Sequence, residues 1–446
     1  MSQISAESAS VRAAINHPAL RDLSNITLPT GSKAMSQGLI GVGAVLAIAT
    51  IGLAKAGLAG VSAAQGLAAV HVGACSVLAI CCAATIFVMI FHLLNAGWTA
   101  TVRRQFENIA AFTPFALIFV AVIALVDLFM FHGKLFTWMD PAMRSDHFLQ
   151  KKWAYFYLPA ALPTGEHASD LVFPLFFFAR MAFYAVLWTF LTRRLISLSR
   201  AQDTHPDPYL SAKARFTSSW GILAMALSTA FAGFDYTMSL DFRFFSTMWG
   251  VYFFAGGAYG AIAVVIFLFA RLNAAGKLKG LVTQEHFHDL GKLMFTFTIF
   301  WAYIAFSQYF LIWYSNLPEE THYMIYRTEN SWKTFFVAII LGHFAFPFLF
   351  FISRIVKKNV GLAALGALVA LLFHVADVYW IVRPLTYTGV PDAEVPGAGR
   401  FLIDALGILA AFACFAGFVA MRMRSVPLVA VNDPWMPESL EHKNYV

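Results

Sequence analysis

The chain has 446 residues, of which 59% are hydrophobic, 16% aromatic and 12% charged. Those charges are too few to cover a water-soluble globule of this size, which excludes a soluble enzyme and implies an integral membrane protein. The net charge of +7 reads as topology and contact with anionic lipid, and nothing in the chain resembles a nucleic-acid-binding surface.

Ten segments reach the roughly 20 apolar residues that a helix needs to cross about 30 Å of hydrocarbon. They fall near 34–54, 68–94, 110–131, 171–192, 216–236, 244–270, 290–314, 332–353, 360–382 and 401–421. Barrel strands alternate over about ten residues and do not fit such continuous runs. The expected fold is all-α integral membrane: about ten transmembrane helices, as two four-helix bundles plus two flanking helices. The expected organisation is an N-terminal arm at 1–33, a flanking helix and loop at 34–67, a first bundle at 68–236, a second at 237–382, a flanking tenth helix at 383–421 and a tail at 422–446. A polar arm precedes the first apolar segment, so that segment is not expected to be a cleavable signal. Loops on the side of the termini carry 19 Lys and Arg against 10 on the opposite side. Positive residues favour the cytoplasmic face, so both termini are expected to be cytoplasmic.

Along the chain, helix two carries His71, His92, Cys75, Cys81 and Cys82. With Cys414 these are the four cysteines, none in a metal or haem-attachment spacing, and they read as small buried hydrophobes. His71 and His92 are too far apart along one helix to hold a haem between them, and the helical histidines offer no second ligand pair. Asp127 lies in the outer third of helix three, Arg180 near the middle of helix four, and Asp235 closes helix five ahead of Asp241. Ionisable groups at such depths are costly in hydrocarbon and mark ion paths or pair with one another. Arg180 is a candidate cation for either carboxylate, and an Asp127–Arg180 clamp is one expectation.

Helix six contains Gly256 and Gly260, a GxxxG spacing read as close helix packing. In helix seven, Lys292 sits near the end on the terminal side and snorkels outward. Tyr303 and Ser307 share a face there with Gln308 beside it, polar groups able to organise a proton wire or bind neighbouring backbone. His343 lies mid-helix before Pro347, whose ring removes a backbone hydrogen bond and can open a polar pocket. In helix nine His374 and Asp377 are three residues apart and share a face, so they pass a proton or lock the helix against its neighbours. Helices four and eight each carry a lone polar group, and helices five and nine each end on an acid beside a tyrosine, which suggests an internal duplication. Trp249, Trp301, Trp313, Trp332 and Trp380 read as interfacial anchors. The arm and the tail from Pro427 suit extended docking on partner subunits or disorder.

Three stretches carry a resemblance: FDYTMSLDFRFFSTMWGVYFFAGG ending at Gly257, HDLGKLMFTFTIFWAYIAFSQYFLIWYSNLPEE from His288 to Glu320, and LGHFAFPFLFFISR from Leu341 to Arg354. Together with the DPWMPESL tail they make the chain, over roughly 34–440, similar to the NrfD/PsrC-like membrane family, and within it to the ActF-type subunits of alternative complex III. The resemblance implies a multi-pass subunit of a quinol:cytochrome c or quinol:oxidase complex in the bacterial inner membrane. The resemblance further implies that it binds no cofactor of its own, with quinol or menaquinol as a candidate ligand. Haem c and iron–sulfur clusters would sit on partners: an iron–sulfur subunit, a multihaem cytochrome c, small membrane subunits and a paralogous NrfD-like quinol-binding subunit. Combined with the residues, this predicts that Asp127, Asp235, Tyr303, Gln308, His343, His374 and Asp377 line two half-channels for protons, with Arg180 and Lys292 tuning carboxylate charge and no catalytic or metal-binding residue. A purely structural anchor and a secondary transporter are the alternatives.

Overall fold

The computed structural model describes residues 17–29, 33–57, 61–158, 172–384 and 398–444. Ten long helices account for most of them: α1 Lys33–Lys55, α2 Ala63–Leu93, α3 Arg103–Phe131, α4 Leu175–Thr204, α5 Pro208–Tyr236, α6 Trp249–Ala274, α7 Gln284–Ser315, α8 Ser331–Ile352, α9 Val360–Val382 and α10 Ala398–Met423. Among the described residues, nine are long and apolar enough to cross a membrane. The other, α5, has the length at 29 residues but opens with Lys213, Arg215 and a run of hydroxyl side chains. The buried hydroxyls Ser218 and Thr229 bond carbonyls one turn back, at 2.8 and 2.7 Å, which makes them tolerable away from water.

The centre of the molecule is α2. Its sequence is apolar on every side, the pattern of a helix with no solvent face, and its most apolar window is 94% buried. Ser62 and Gln65 start it with a reciprocal capping box. Around it, α2–α5 close one four-helix bundle and α6–α9 a second, joined where α6 packs on α2 and α5 and where α9 reaches α2. The flanking pair α1 and α10 lie against each other and cover the remaining side of α2. Small residues permit these approaches: a Cβ on Gly73 would lie 2.6 Å from the Ile408 carbonyl of α10, and one on Gly257 would lie 2.4 Å from the Ala79 carbonyl of α2.

Helices α4, α5 and α7 run well past the apolar segments that predict them, because their polar ends continue as helix beyond the hydrocarbon span. Two helices depart from α geometry. Pro347 has no N–H to offer the His343 carbonyl, and α8 widens into a π segment over Ile340–Ala345. The last turn of α3, Asp127–Phe131, is also π-helical and is ended by His132 and Gly133 at φ 55° and 79°.

The tail is not an extended arm. Leu428, Val429, Ala430 and Met436 are buried, Leu428 N–H bonds the Ile26 carbonyl at 2.8 Å, and Asp433 pairs with Arg103. Ser439 meets Thr101 at 2.9 Å and His286 at 3.2 Å, while His442 meets Asp289. The described parts of both termini therefore lie at one end of the molecule, with the α2–α3, α6–α7 and α8–α9 connections.

Candidate functional site

Asp377, in the last turns of α9, is 2% exposed and is held by two donors from different helices. Tyr252 of α6 donates its hydroxyl to Oδ1 and Trp301 of α7 donates its indole N–H to Oδ2 at 3.2 Å. Neither donor carries a charge. Among the described buried carboxylates, Asp235, Asp404 and Asp433 each face a guanidinium. Asp127 instead caps a loop, accepting the Phe136 N–H at 2.7 Å and the Leu135 N–H at 3.1 Å. Among the described residues, Asp377 has neither a cation nor a backbone cradle.

One turn earlier, His374 is 1% exposed and places Nε2 3.2 Å from the Ser76 carbonyl of α2. A carbonyl only accepts, so Nε2 carries the proton and Nδ1 of the neutral ring is an acceptor, left without a partner. His343, fully buried in the π segment, has both ring nitrogens unpartnered. Its ring packs edge-on against Trp301 and Tyr259, centroids 3.8 and 4.4 Å away, and the Tyr259 hydroxyl is also unpartnered. Buried polar groups nearly always find partners, and four atoms without one fall on these three neighbouring side chains.

A cavity of about 540 Å³ ends on Asp377. Its walls come from α6–α9 and from the short helix Pro318–Thr328, and they are almost wholly apolar: Trp249, Phe306, Tyr309, Ile339, Phe344 and Trp380 supply much of the surface. Its lining includes the polar groups Asp377, Tyr252 and Trp301, which bond one another, and Gln308 two turns further along α7. Its rim includes Tyr303, Phe306 and Ile340, which are 66%, 64% and 42% exposed, so the opening is lateral, between α7 and α8. A concave apolar site with a few convergent polar groups is the usual form of a small-molecule site.

The structure thus brings His343, His374 and Asp377 together in the second bundle, with Gln308 and Tyr303 of α7 on the cavity wall, and places Asp127, Arg180 and Asp235 in the first bundle. Gln308 is engaged, accepting from Ser246 at 2.7 Å. Tyr303 stands at the cavity rim, and Ser307 bonds the Tyr303 carbonyl at 2.6 Å, so the two do not form an inward wire. Arg180 pairs with Asp235, not Asp127: Nε reaches Oδ2 at 2.9 Å and Nη2 reaches Oδ1 at 2.7 Å. Tyr184 and Tyr155 add hydroxyl bonds of 2.8 and 3.0 Å. Four donors saturate that carboxylate. Lys292 is exposed and bonds Asp289 and Asn444, about 14 Å along α7 from Trp301, too distant to tune Asp377.

Four of the five expected tryptophan anchors, Trp249, Trp301, Trp332 and Trp380, are buried, and only Trp313 is exposed. Tyr252, Tyr259 and Trp301 are the site residues that reading the sequence missed as partners; the one available signal was that Tyr252 and Trp301, like His343, each lie in one of the three resembling stretches. Two further charged groups also went unread. The Arg383–Asp404 pair, wholly buried, ties α9 to α10, and the Arg103–Glu107–Asp433 group sits under the tail. Burial alone would raise the Asp433 carboxyl, but the Arg103 guanidinium outweighs it and holds the group below its usual 3.8.

The fold and site together define a polytopic helical membrane protein with a titratable cluster inside its second bundle. No protein-family model matches the sequence, and no curated protein matches it.

Proposed function

We propose that this chain is a membrane subunit of a quinol-oxidising electron-transfer complex of the alternative complex III kind, in which it contributes a proton path through its second bundle and a cavity for a quinol headgroup. One observation carries the reading: Asp377, a buried carboxylate with no cation beside it, terminates an apolar cavity that opens sideways between α7 and α8. Intramembrane acids of this kind are the usual elements of proton relays. The aromatic walls suit a flat ring, and Asp377 and Gln308 would receive its hydroxyl groups. The three resembling stretches supply the donors and walls: Tyr252 lies in the first, Trp301 and Gln308 in the second, His343 in the third.

On this reading the haem c and iron–sulfur centres belong to partner subunits, the membrane is the bacterial inner membrane, and the face carrying both termini is cytoplasmic. The first bundle is architectural on this reading, since Arg180, Tyr184 and Tyr155 occupy the Asp235 carboxylate and Asp127 caps a loop. Purification of the protein under mild detergent from its native membrane tests the assignment. A multihaem cytochrome and an iron–sulfur protein should co-purify in a particle that oxidises quinol. Isolation as a lone protein that moves a solute across vesicles would contradict it.

A further inference from the structure

Gly256 of α6 faces α9 at the level of His374 and Asp377. A Cβ placed there would meet nothing closer than His374 Nδ1 at 3.6 Å and Asp377 Oδ2 at 3.8 Å. The neighbouring glycines of this helix differ. A Cβ on Gly257 would strike the Ala79 carbonyl at 2.4 Å, and one on Gly260 would crowd Ile80 and His374 at 2.9 and 3.0 Å. Those two are glycine because helices pack against them. At Gly256 an added methyl would stand in ordinary van der Waals contact with two polar atoms and no closer neighbour.

The bordering atoms have unused capacity of matching kind. His374 Nδ1 is a buried acceptor without a donor, fixed as such by the Nε2–H to the Ser76 carbonyl. Asp377 Oδ2 holds one bond from Trp301, and a carboxylate oxygen has room for two. The residues share a helical face, yet no hydrogen bond joins Nδ1 to the carboxylate. Two acceptors facing one small space call for a molecule with two O–H donors, and a buried water needs two or more polar partners and about one probe sphere of room.

We propose that Gly256 seats a single water molecule between His374 Nδ1 and Asp377 Oδ2, making the two side chains one proton-exchanging unit. With the carboxylate ionised, the water donates one hydrogen to Oδ2 and the other to Nδ1. With the acid protonated on Oδ2, its proton passes to the water oxygen while a water hydrogen passes to Nδ1. The products are a carboxylate and an imidazolium, the Nε2–H stays on the Ser76 carbonyl, and the water is regenerated. The inference deepens the proton-path reading and rests on it for its consequence, though not for the presence of the water.

An electron cryo-microscopy map of the intact assembly, sharp enough to show ordered water, tests the seat directly. Wild-type protein should show density within hydrogen-bond reach of both atoms, and Gly256→Ala should lose it with α6 unmoved. A wild-type map lacking that density, or one with Nδ1 bonded directly to Oδ2, overturns the proposal. Quinol-driven proton release tests the consequence: Gly256→Ala should lower it about tenfold or more, and Gly256→Ser, whose hydroxyl can stand in for the water, should restore most of it. Unchanged release in Gly256→Ala alone overturns the water bridge, whereas unchanged release in both Gly256→Ala and Asp377→Asn overturns the relay and leaves the density as an independent result.

Discussion

Trp301 directs its indole N–H at Asp377, 3.2 Å away on the facing helix, while the edge of the same indole packs on His343 with ring centroids 3.8 Å apart. One side chain thus fixes both the orientation of the buried acid and the position of an unpartnered imidazole. A rigid aromatic that touches both groups keeps them at constant separation, which a proton path through packed helices needs more than it needs flexibility.

His343→Phe separates chemistry from packing. Phenylalanine preserves the edge contacts with Trp301 and Tyr259 and removes both ring nitrogens. The protein should assemble and melt within about 2 °C of wild type, and quinol-driven proton release should fall at least about tenfold. Wild-type release would place the relay elsewhere.

The Arg180–Asp235 pair predicts the opposite behaviour. Removing one partner of a buried pair strands the other charge, so Arg180→Ala should destabilise the first bundle by about 3–5 kcal/mol. Replacing both partners at once, Arg180→Met with Asp235→Leu, should recover most of that loss. Thermal denaturation in detergent checks both, and an Arg180→Ala variant as stable as wild type would remove the architectural role given to this pair.

Adjacent glycines on α6 should respond differently. Gly257→Ala forces a methyl against the α2 backbone and should cost about 1–3 kcal/mol or more, with loosened contact between the bundles. Gly256→Ala fits without a clash and should leave the melting temperature nearly unchanged. Equal destabilisation by both would mean that the space beside His374 is smaller than the geometry indicates.

Asp433 gives the tail its pH dependence. Its carboxyl lies below the usual 3.8 in the folded protein because of Arg103. A group whose folded value is depressed stabilises fully above its unfolded value and loses that contribution as pH falls through the folded one. The tail should therefore stay docked from neutral pH down to about 4 and loosen only in stronger acid, whereas Asp433→Asn should weaken docking at every pH. Limited proteolysis across the 424–444 segment, followed against pH, would show it.

Hydropathy made the helices legible, since a run of twenty apolar residues has few alternatives, and the cost of an acid in hydrocarbon singled out Asp127, Asp235 and Asp377. Partner choice was not legible. The donors to Asp377 come from 125 and 76 positions away in the chain, and which of two similarly deep acids Arg180 meets depends on how α4 is rotated about its axis. The tail misled for a related reason. A polar, proline-containing stretch looks unstructured until Leu428–Ala430 are seen buried under the helices, beside charges of α3 that need partners.

Proton release by the purified assembly in sealed vesicles, compared between wild type and Asp377→Asn during quinol oxidation, is the most direct test of the site. Asparagine keeps the shape and the acceptor for Trp301 and cannot carry a proton. Vectorial release should fall to near background while the variant retains its subunits and melting temperature. Release at the wild-type rate would show that Asp377 is a structural acid and that protons, if they cross this chain, take another route.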